Sequence, residues 1–209
     1  MAFSTAPRLE VEDLGRCAYL DAQARMDAAL EERAAGGADR ILFAEFDPVL
    51  TVGRAGGGAE AYAALGVPVH EVSRGGKATF HGPGQLVAYP VVGLEGAARD
   101  LHAYLHALEE ALIRTVARFG LAGGRDPRNT GCWVGGRKIA SIGVAVRRWV
   151  TYHGVALNVA TDLSWFRRFD PCGLEPELMT SMAAELPQAP ALGEVRTALA
   201  EELRAVLRA

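Results

Sequence analysis

Leu101, Leu105, Leu108, Leu112, Val116 and Phe119 recur at steps of three and four. That spacing lays one apolar stripe along a helix, which Asp100 caps and Gly120 ends. A second stripe, Leu192, Val195, Leu199, Leu203 and Val206, predicts an amphipathic helix near the end of the sequence. A third helix is expected from about Gly15 to Ala35, a segment rich in Ala, Leu, Met, Glu and Arg that a Gly-Gly pair stops. Cys17 falls inside it, beside Ala18, Leu20 and Ala24, and reads as a small packed hydrophobe. Strand patterns occupy 40–46 and 49–52, split by Asp47-Pro48, then 67–72 and 85–92. Pro90 places this last strand at a sheet edge, because proline gives no N–H to a ladder. Residues 132–136, 138–146 and 151–159 read as a meander of three strands, and 162–186 as irregular with short helical pieces. Glycine-rich loops are expected at 53–58 and 73–84. Strands in consecutive groups with helices in the middle and at the ends predict an α/β (α+β) fold. Its sheet is mixed and largely antiparallel, flanked by helices. No repeat at a fixed period stands out.

Composition narrows the function classes. The 209 residues are half hydrophobic and 22% charged, enough for one domain over 1–209 with a core of its own. The net charge of −3 gives no reason to expect nucleic-acid binding. The start, MAFSTAPRLEVEDLG, lacks the pattern of a signal peptide, and no apolar run is long enough for a bilayer, so a cytoplasmic protein with no membrane partner is expected. Three cysteines, Cys17, Cys132 and Cys172, with no CxxC or Cys/His cluster, read as reduced thiols rather than disulfides or a zinc site. His102 and His106 have helical i, i+4 spacing, but no third ligand is near them, and no metal is expected.

Two segments carry candidate chemistry. In DPCG, Pro171 and Gly173 bracket Cys172, so the thiol is presented in a turn rather than packed in an apolar run. A free thiol titrates near ~8.5 and is mostly protonated at neutral pH, so a nucleophilic Cys172 needs a partner for its proton. His81, His153 and Lys138 are the candidates. Lys138 opens the run KIASIGVAV, in period-two phase with Ala140, Ile142, Val144 and Val146. Burial there would lower a lysine's pKa and fit it to act as a base, whereas a snorkelling ammonium is the plainer outcome of that phase. His153 is in phase with Val155, Leu157 and Val159, which suits a core histidine as well as a site. The loop SRGGKATFHGPG contains Gly, Lys and Thr but lacks Walker spacing, and a strand follows it where a phosphate loop needs a helix. Its glycines still let backbone N–H groups approach a ligand.

The stretches RGGKATFHGPGQLVAYP, GGRKIASIG, HGVALNV and DPCG, with PVLTVGR upstream, together resemble the lipoyl(octanoyl) transferases, the lipoate-biosynthesis B family. The match runs in order from about residue 40 to 180. The resemblance implies the fold of biotin and lipoate protein ligases. It implies transfer of octanoyl from octanoyl-acyl carrier protein to a lysine of lipoyl domains or of the glycine-cleavage H protein, with no cofactor. Cys172 matches the family's acyl-thioester nucleophile and Lys138 the lysine that lowers its pKa. Arg74, Gly75, Gly76, Lys77, Ala78, Thr79, Phe80 and His81 match one acyl-binding stretch. Ser141, Ile142 and Gly143 match a second, and Gly154, Val155 and Ala156 a third. His153 and Asn158 are expected to support the site. Cys132 departs from the family's usual proline, glycine or aliphatic residue, which would set a second thiol near the site. Arg137, Arg147, Arg148, Arg167 and Arg168 are expected as a basic rim that docks acidic carriers, or else as arginines paired with local carboxylates. The competing readings are an ATP-dependent lipoate or biotin ligase, a cysteine hydrolase or thioesterase, and a non-catalytic paralogue that binds acyl carriers.

Overall fold

The computed structural model describes residues 3, 4, 6, 8–170 and 173–208. In chain order the elements are β1 (Leu9–Cys17), α1 (Tyr19–Ala34), β2 (Asp39–Phe46), β3 (Val49–Val52), β4 (Val69–Glu71), β5 (Ala78–His81) and β6 (Gln85–Val91). Then come α2 (Leu101–Ala117), β7 (Gly123–Gly124), β8 (Gly131–Val134), β9 (Arg137–Arg147), β10 (Val150–Asn158), α3 (Met182–Glu185) and α4 (Leu192–Leu207). A seven-stranded sheet runs in the order β1-β2-β6-β10-β9-β8-β7, and a three-stranded sheet in the order β4-β3-β5. Pairing is antiparallel except for β1 with β2 and β3 with β4. The mixed, largely antiparallel sheet flanked by helices is as the pattern predicts.

Period-two alternation divides the core into two layers. Ile41, Phe43, Leu86, Ala88, Val155 and Leu157 face α2 and α4, where Leu108, Leu112, Leu199 and Leu203 meet them. Leu42, Ala44, Val87, Tyr89 and Ala156 face the other way, onto Met26 and Leu30 of α1. The small sheet has its own cluster, Leu50, Val52, Ala78 and Phe80 with Phe166 and Met179. Asp100 caps α2 as expected, its Oδ1 accepting from the N–H groups of His102 (2.9 Å) and Ala103 (3.0 Å).

Two sequence expectations are corrected. The first helix does not begin near Gly15. Residues Leu9–Cys17 form β1, paired in parallel with β2 from Leu9↔Asp39 to Cys17↔Phe46, and α1 starts at Tyr19. Pairing along the sheet edge outweighs the local helix preference, and Leu20 lies on the solvent side. Pro90 sits in β6, which is central rather than at an edge. The β6–β10 ladder runs from Gln85↔Asn158 to Ala88↔Val155 and lapses before Pro90. There the Thr151 hydroxyl substitutes for the ladder: it donates to Pro90 O (2.9 Å) and accepts from the N–H of Val92 (3.0 Å).

One buried ion cluster joins distant parts of the chain. Asp39, fully buried, accepts from Arg33 Nε (2.7 Å), the Gly93 N–H (3.0 Å) and Arg208 (3.3 Å). Arg33 also pairs with Glu95, and Arg208 donates to Ala6 O. Beside this cluster the Phe3 N–H donates to Leu207 O (3.3 Å), and the Glu95 N–H to Phe3 O (3.0 Å). No helix among the described residues is long and apolar enough to cross a membrane.

Candidate functional site

Between the sheet and the loop at 73–77, a cavity of about 140 Å³ opens on the α1 side. Lys138 lines it, only 2% exposed, and its ammonium donates to Asn129 Oδ1. The way Lys138 arrives there differs from the expected phase. The β8–β9 register shifts: Trp133 faces Lys138, but Cys132 faces Ala140, so Ile139 is an extra residue. Ile139 and Ala140 both enter the α2–α4 core, and the bulge turns Lys138 into the cavity wall with Ser141 and Gly143. Lys138 is therefore buried, not snorkelling, and it leaves the apolar face of Ala140, Ile142 and Val144. Gly131, at φ +151°, makes room for it: a Cβ there would lie 2.2 Å from Ala140 O and 2.8 Å from Lys138 Cε.

Arg74 organises the glycine-rich loop. It donates to the carbonyls of Gly75 (3.0 Å), Lys77 (3.0 Å) and Thr51 (2.8 Å), and to Thr51 Oγ1 (2.9 Å). The cation is thus a staple for backbone oxygens, and its stem fits because Gly143 has no Cβ, which would sit 2.8 Å from Arg74 Cδ. The Gly75 N–H in turn donates to Val144 O (3.1 Å), tying the loop to β9.

Two histidines line the same cavity. Burial pushes His81 down to about 4, helped by the nearby Arg74 charge and opposed by its hydrogen bond to Gln85. Burial likewise pushes His153 down to about 4, with Arg74 and His81 adding to the effect. His153 also has φ +55°, a left-handed backbone that a non-glycine residue adopts at a cost of about 1–2 kcal/mol. This left-handed residue lies in the stretch where β10 parts from β6.

Of the expected binding residues, Arg74, Gly75, Gly76, Lys77, Thr79 and His81 line the cavity. So do Ser141–Gly143 and His153–Ala156. Ala78 and Phe80 do not. They alternate with Thr79 and His81 on β5 and point into the small-sheet cluster, where Phe80 stacks on Trp165 at 4.7 Å. Asn158 stands behind the wall, bonded to Gln85 and Thr180 O. Tyr19, Thr51, Val87, Tyr89 and Asn129 also line the cavity and were not anticipated. A threonine inside the apolar run VLTV was a readable signal for Thr51; Asn129, in an irregular loop, gave none.

Pro171 and Cys172 lie outside the described residues. Asp170 accepts from Lys77 Nζ (3.0 Å), and Gly173 adopts φ +79°. Further on, Met179 bridges to Lys138, and the Thr180 N–H donates to Lys138 O (2.9 Å). Cys132 is not at the cavity. It is fully buried under α2, and burial pushes its thiol up to about 12. The five rim arginines all have local partners: Arg147 and Arg148 share Glu31, Arg137 pairs with Glu185 (2.9 Å), Arg167 with Glu177 (4.0 Å), and Arg168 lies over Trp165 (4.1 Å). His106 pairs with Glu109 (3.3 Å), and no three His, Cys, Asp or Glu side chains gather as a metal cage among the described residues.

A cavity with apolar walls, one buried amine and glycine-lined backbone suits a chain-like apolar group whose polar end meets the amine. Comparison with known proteins points the same way. The family model of the lipoyl protein ligase A/B catalytic domain matches residues 18–204. An octanoyltransferase of Geobacter metallireducens is 48% identical over 191 residues, covering 91% of this chain and 89% of that one. An octanoyltransferase of Nitratidesulfovibrio vulgaris (strain Miyazaki F) is 43% identical over 205 residues, covering 95% and 94%. Among solved structures, one describes an archaeal lipoylation system, a bi-partite lipoate protein ligase and its E2 lipoyl domain from Thermoplasma acidophilum. A chain of it superposes with a TM-score of 0.73 at 19% identity, covering 95% of this chain and 83% of that chain. At that identity the likeness carries the fold alone.

Proposed function

The chain belongs to the lipoyl protein ligase A/B catalytic-domain family, and from that premise we propose that it is an octanoyltransferase of protein lipoylation. It takes octanoyl from an acyl carrier protein and passes it to a lysine of lipoyl domains or of the glycine-cleavage H protein. The observation that carries this reading is Lys138, buried in the wall of an apolar cavity between the glycine-rich loop and β9–β10. The names of the relatives at 43–48% identity supply the acyl group.

In the proposed chemistry the Cys172 thiolate attacks the donor's thioester carbon. The C–S bond to the carrier breaks, and the leaving thiolate takes a proton from the Lys138 ammonium. The amine of the acceptor lysine then attacks the new thioester, Lys138 receives the proton it sheds, and the Cys172 thiolate departs. One thioester replaces another, and the final amide is more stable than either, so no nucleotide is consumed. Backbone N–H groups of the glycine-lined wall hold the carbonyl oxygen as charge builds on it. Lys77, which lines the cavity and holds Asp170 two residues before Cys172, supports bringing the thiol to this wall.

Intact-mass spectrometry tests the scheme. Incubation with octanoyl-acyl carrier protein should add one octanoyl group to the chain, and added apo-lipoyl domain should remove it. Cys172→Ala should abolish the adduct, and Lys138→Ala and Lys138→Arg should each slow transfer by about 10²–10⁴-fold with circular dichroism unchanged. An adduct mapping to Cys132, or a requirement for ATP, would overturn the reading.

A further inference from the structure

From the cavity wall inward, a line of buried polar groups has no part in the scheme above. His81 Nδ1 lies 2.7 Å from Gln85 Oε1, and His81 Nε2 lies 3.2 Å from Thr51 Oγ1. Gln85 Nε2 donates to Phe80 O (3.2 Å) and to Asn158 Oδ1 (2.9 Å), and Asn158 Nδ2 donates to Thr180 O (3.0 Å). The Thr180 N–H donates to Lys138 O (2.9 Å). The line therefore runs from Arg74, through Thr51, His81, Gln85, Asn158 and Thr180, to the strand start that carries Lys138.

Its proton positions follow from which groups can only accept. Phe80 O and Thr180 O are carbonyls, so the side-chain atoms facing them must be the NH₂ groups of Gln85 and Asn158. That fixes both amides against flipping. Gln85 Oε1 is then left facing His81, and an amide oxygen can only accept, so His81 Nδ1 must carry a proton. At the other ring nitrogen, Thr51 Oγ1 already accepts from Arg74 (2.9 Å) and keeps its own proton to give to His81 Nε2. The charged group facing the imidazole is Arg74, across Thr51; His153 of β10 is a titratable neighbour that burial keeps neutral. The edge of Phe46 closes another side at 5.9 Å. The Arg74 charge opposes a second proton on the ring.

We infer that Gln85 and Asn158 are positioning residues that fix His81 in the Nδ1–H tautomer, in a buried place beside the Arg74 charge that keeps the ring neutral, so that it never competes with Lys138 for the proton in transit. The second half of this statement rests on the proposed acyl transfer; the tautomer does not. The device also explains a histidine in a cavity wall that already holds Arg74 and Lys138: an imidazolium there would add a further cation.

Histidine ¹⁵N NMR reads the tautomer directly in the unaltered protein. His81 should show the Nδ1–H pattern, unchanged from pH 8 down to about 5, since burial of this kind moves histidine well below its usual range. Gln85→Glu keeps the acceptor but adds a charge, and should raise the His81 titration by about one to three units. In that variant kcat/KM for octanoyl transfer should acquire an acid limb falling about tenfold per pH unit below the new titration. Asn158→Leu leaves the Gln85 NH₂ group held by Phe80 O alone and should let a minor Nε2–H population appear. An Nε2–H pattern in the wild type, or its titration above about 6, would overturn the inference, because each contradicts a neutral Nδ1–H ring. A Gln85→Glu pH profile that superimposes on wild type would overturn the link to Lys138. A pure Nδ1–H signal in Asn158→Leu would take Asn158 out of the device. If the chain transferred no octanoyl at all, the NMR results would still decide the tautomer.

Discussion

His81 and His153 are both held neutral in the fold, and each is displaced from 6.5 to about 4. An unfolded chain binds those protons as pH falls below 6.5, whereas the folded chain refuses them until about 4. Stability is therefore complete above pH 6.5 and is lost as pH falls toward 4. Each histidine accounts for about 3 kcal/mol over that window, at roughly 1.4 kcal/mol per pH unit of displacement. Urea denaturation at steps from pH 7 to 4.5 should show this decline, and His153→Gln should flatten about half of it. A slope unaffected by that change would show that other groups dominate acid unfolding. The sequence displayed both histidines, and period-two phase correctly left His153 open between core and site. It could not show that they share one cavity with Arg74, because that meeting depends on β5, β10 and the loop between β4 and β5 closing on one another.

At the level of single elements, local irregularities decided what could be read. The stripes of α2 and α4 and the three-strand meander follow from periodicity and stand where the pattern put them. The misread positions are those where the period breaks. Ile139 inserts one residue into β9, and every inference from the phase of Lys138 inherits the slip. Pro90 denies an edge assignment because Thr151, sixty-one positions away, takes over the missing ladder bonds. Thr151→Val keeps the shape and removes the hydroxyl, leaving the Val92 N–H and Pro90 O without that partner. It should destabilise the protein by about 1–3 kcal/mol, read as a lowered urea midpoint at constant slope. A loss under about 0.5 kcal/mol would mean the strands close over the gap without the hydroxyl. The cavity-lining stretches were legible through their resemblance to a family, but Ala78 and Phe80 came along with them only by adjacency. Strand alternation sends those two side chains away from the cavity.

For the molecule as a whole, Asp39 is a carboxylate on which three separate segments converge. Arg33 of α1, the Gly93 backbone and Arg208 just beyond α4 all meet it, and none of these residues lines the cavity. Asp39→Ala takes one shared carboxylate from two arginines, leaving Arg33 to Glu95 and Arg208 to Ala6 O and solvent, and should cost about 1–3 kcal/mol, measured by chemical denaturation. The turnover of whatever stays folded should be unaffected, and a selective loss of activity at unchanged stability would contradict this separation of roles. Nothing in the sequence marked Asp39, since an aspartate heading a strand is ordinary until the fold brings Arg208 to it. Asp13 of β1 also pairs with Arg196 of α4, and Asp39, which heads β2 and pairs with Leu9 of β1, meets Arg208 just beyond α4, so the β1–β2 edge is fastened to the last helix region at two places. Neither can then fray by itself. In native-state hydrogen exchange the amides of β1 and of the last turns of α4 should open as one cooperative unit, with a common free energy, instead of as two loose ends of different depth.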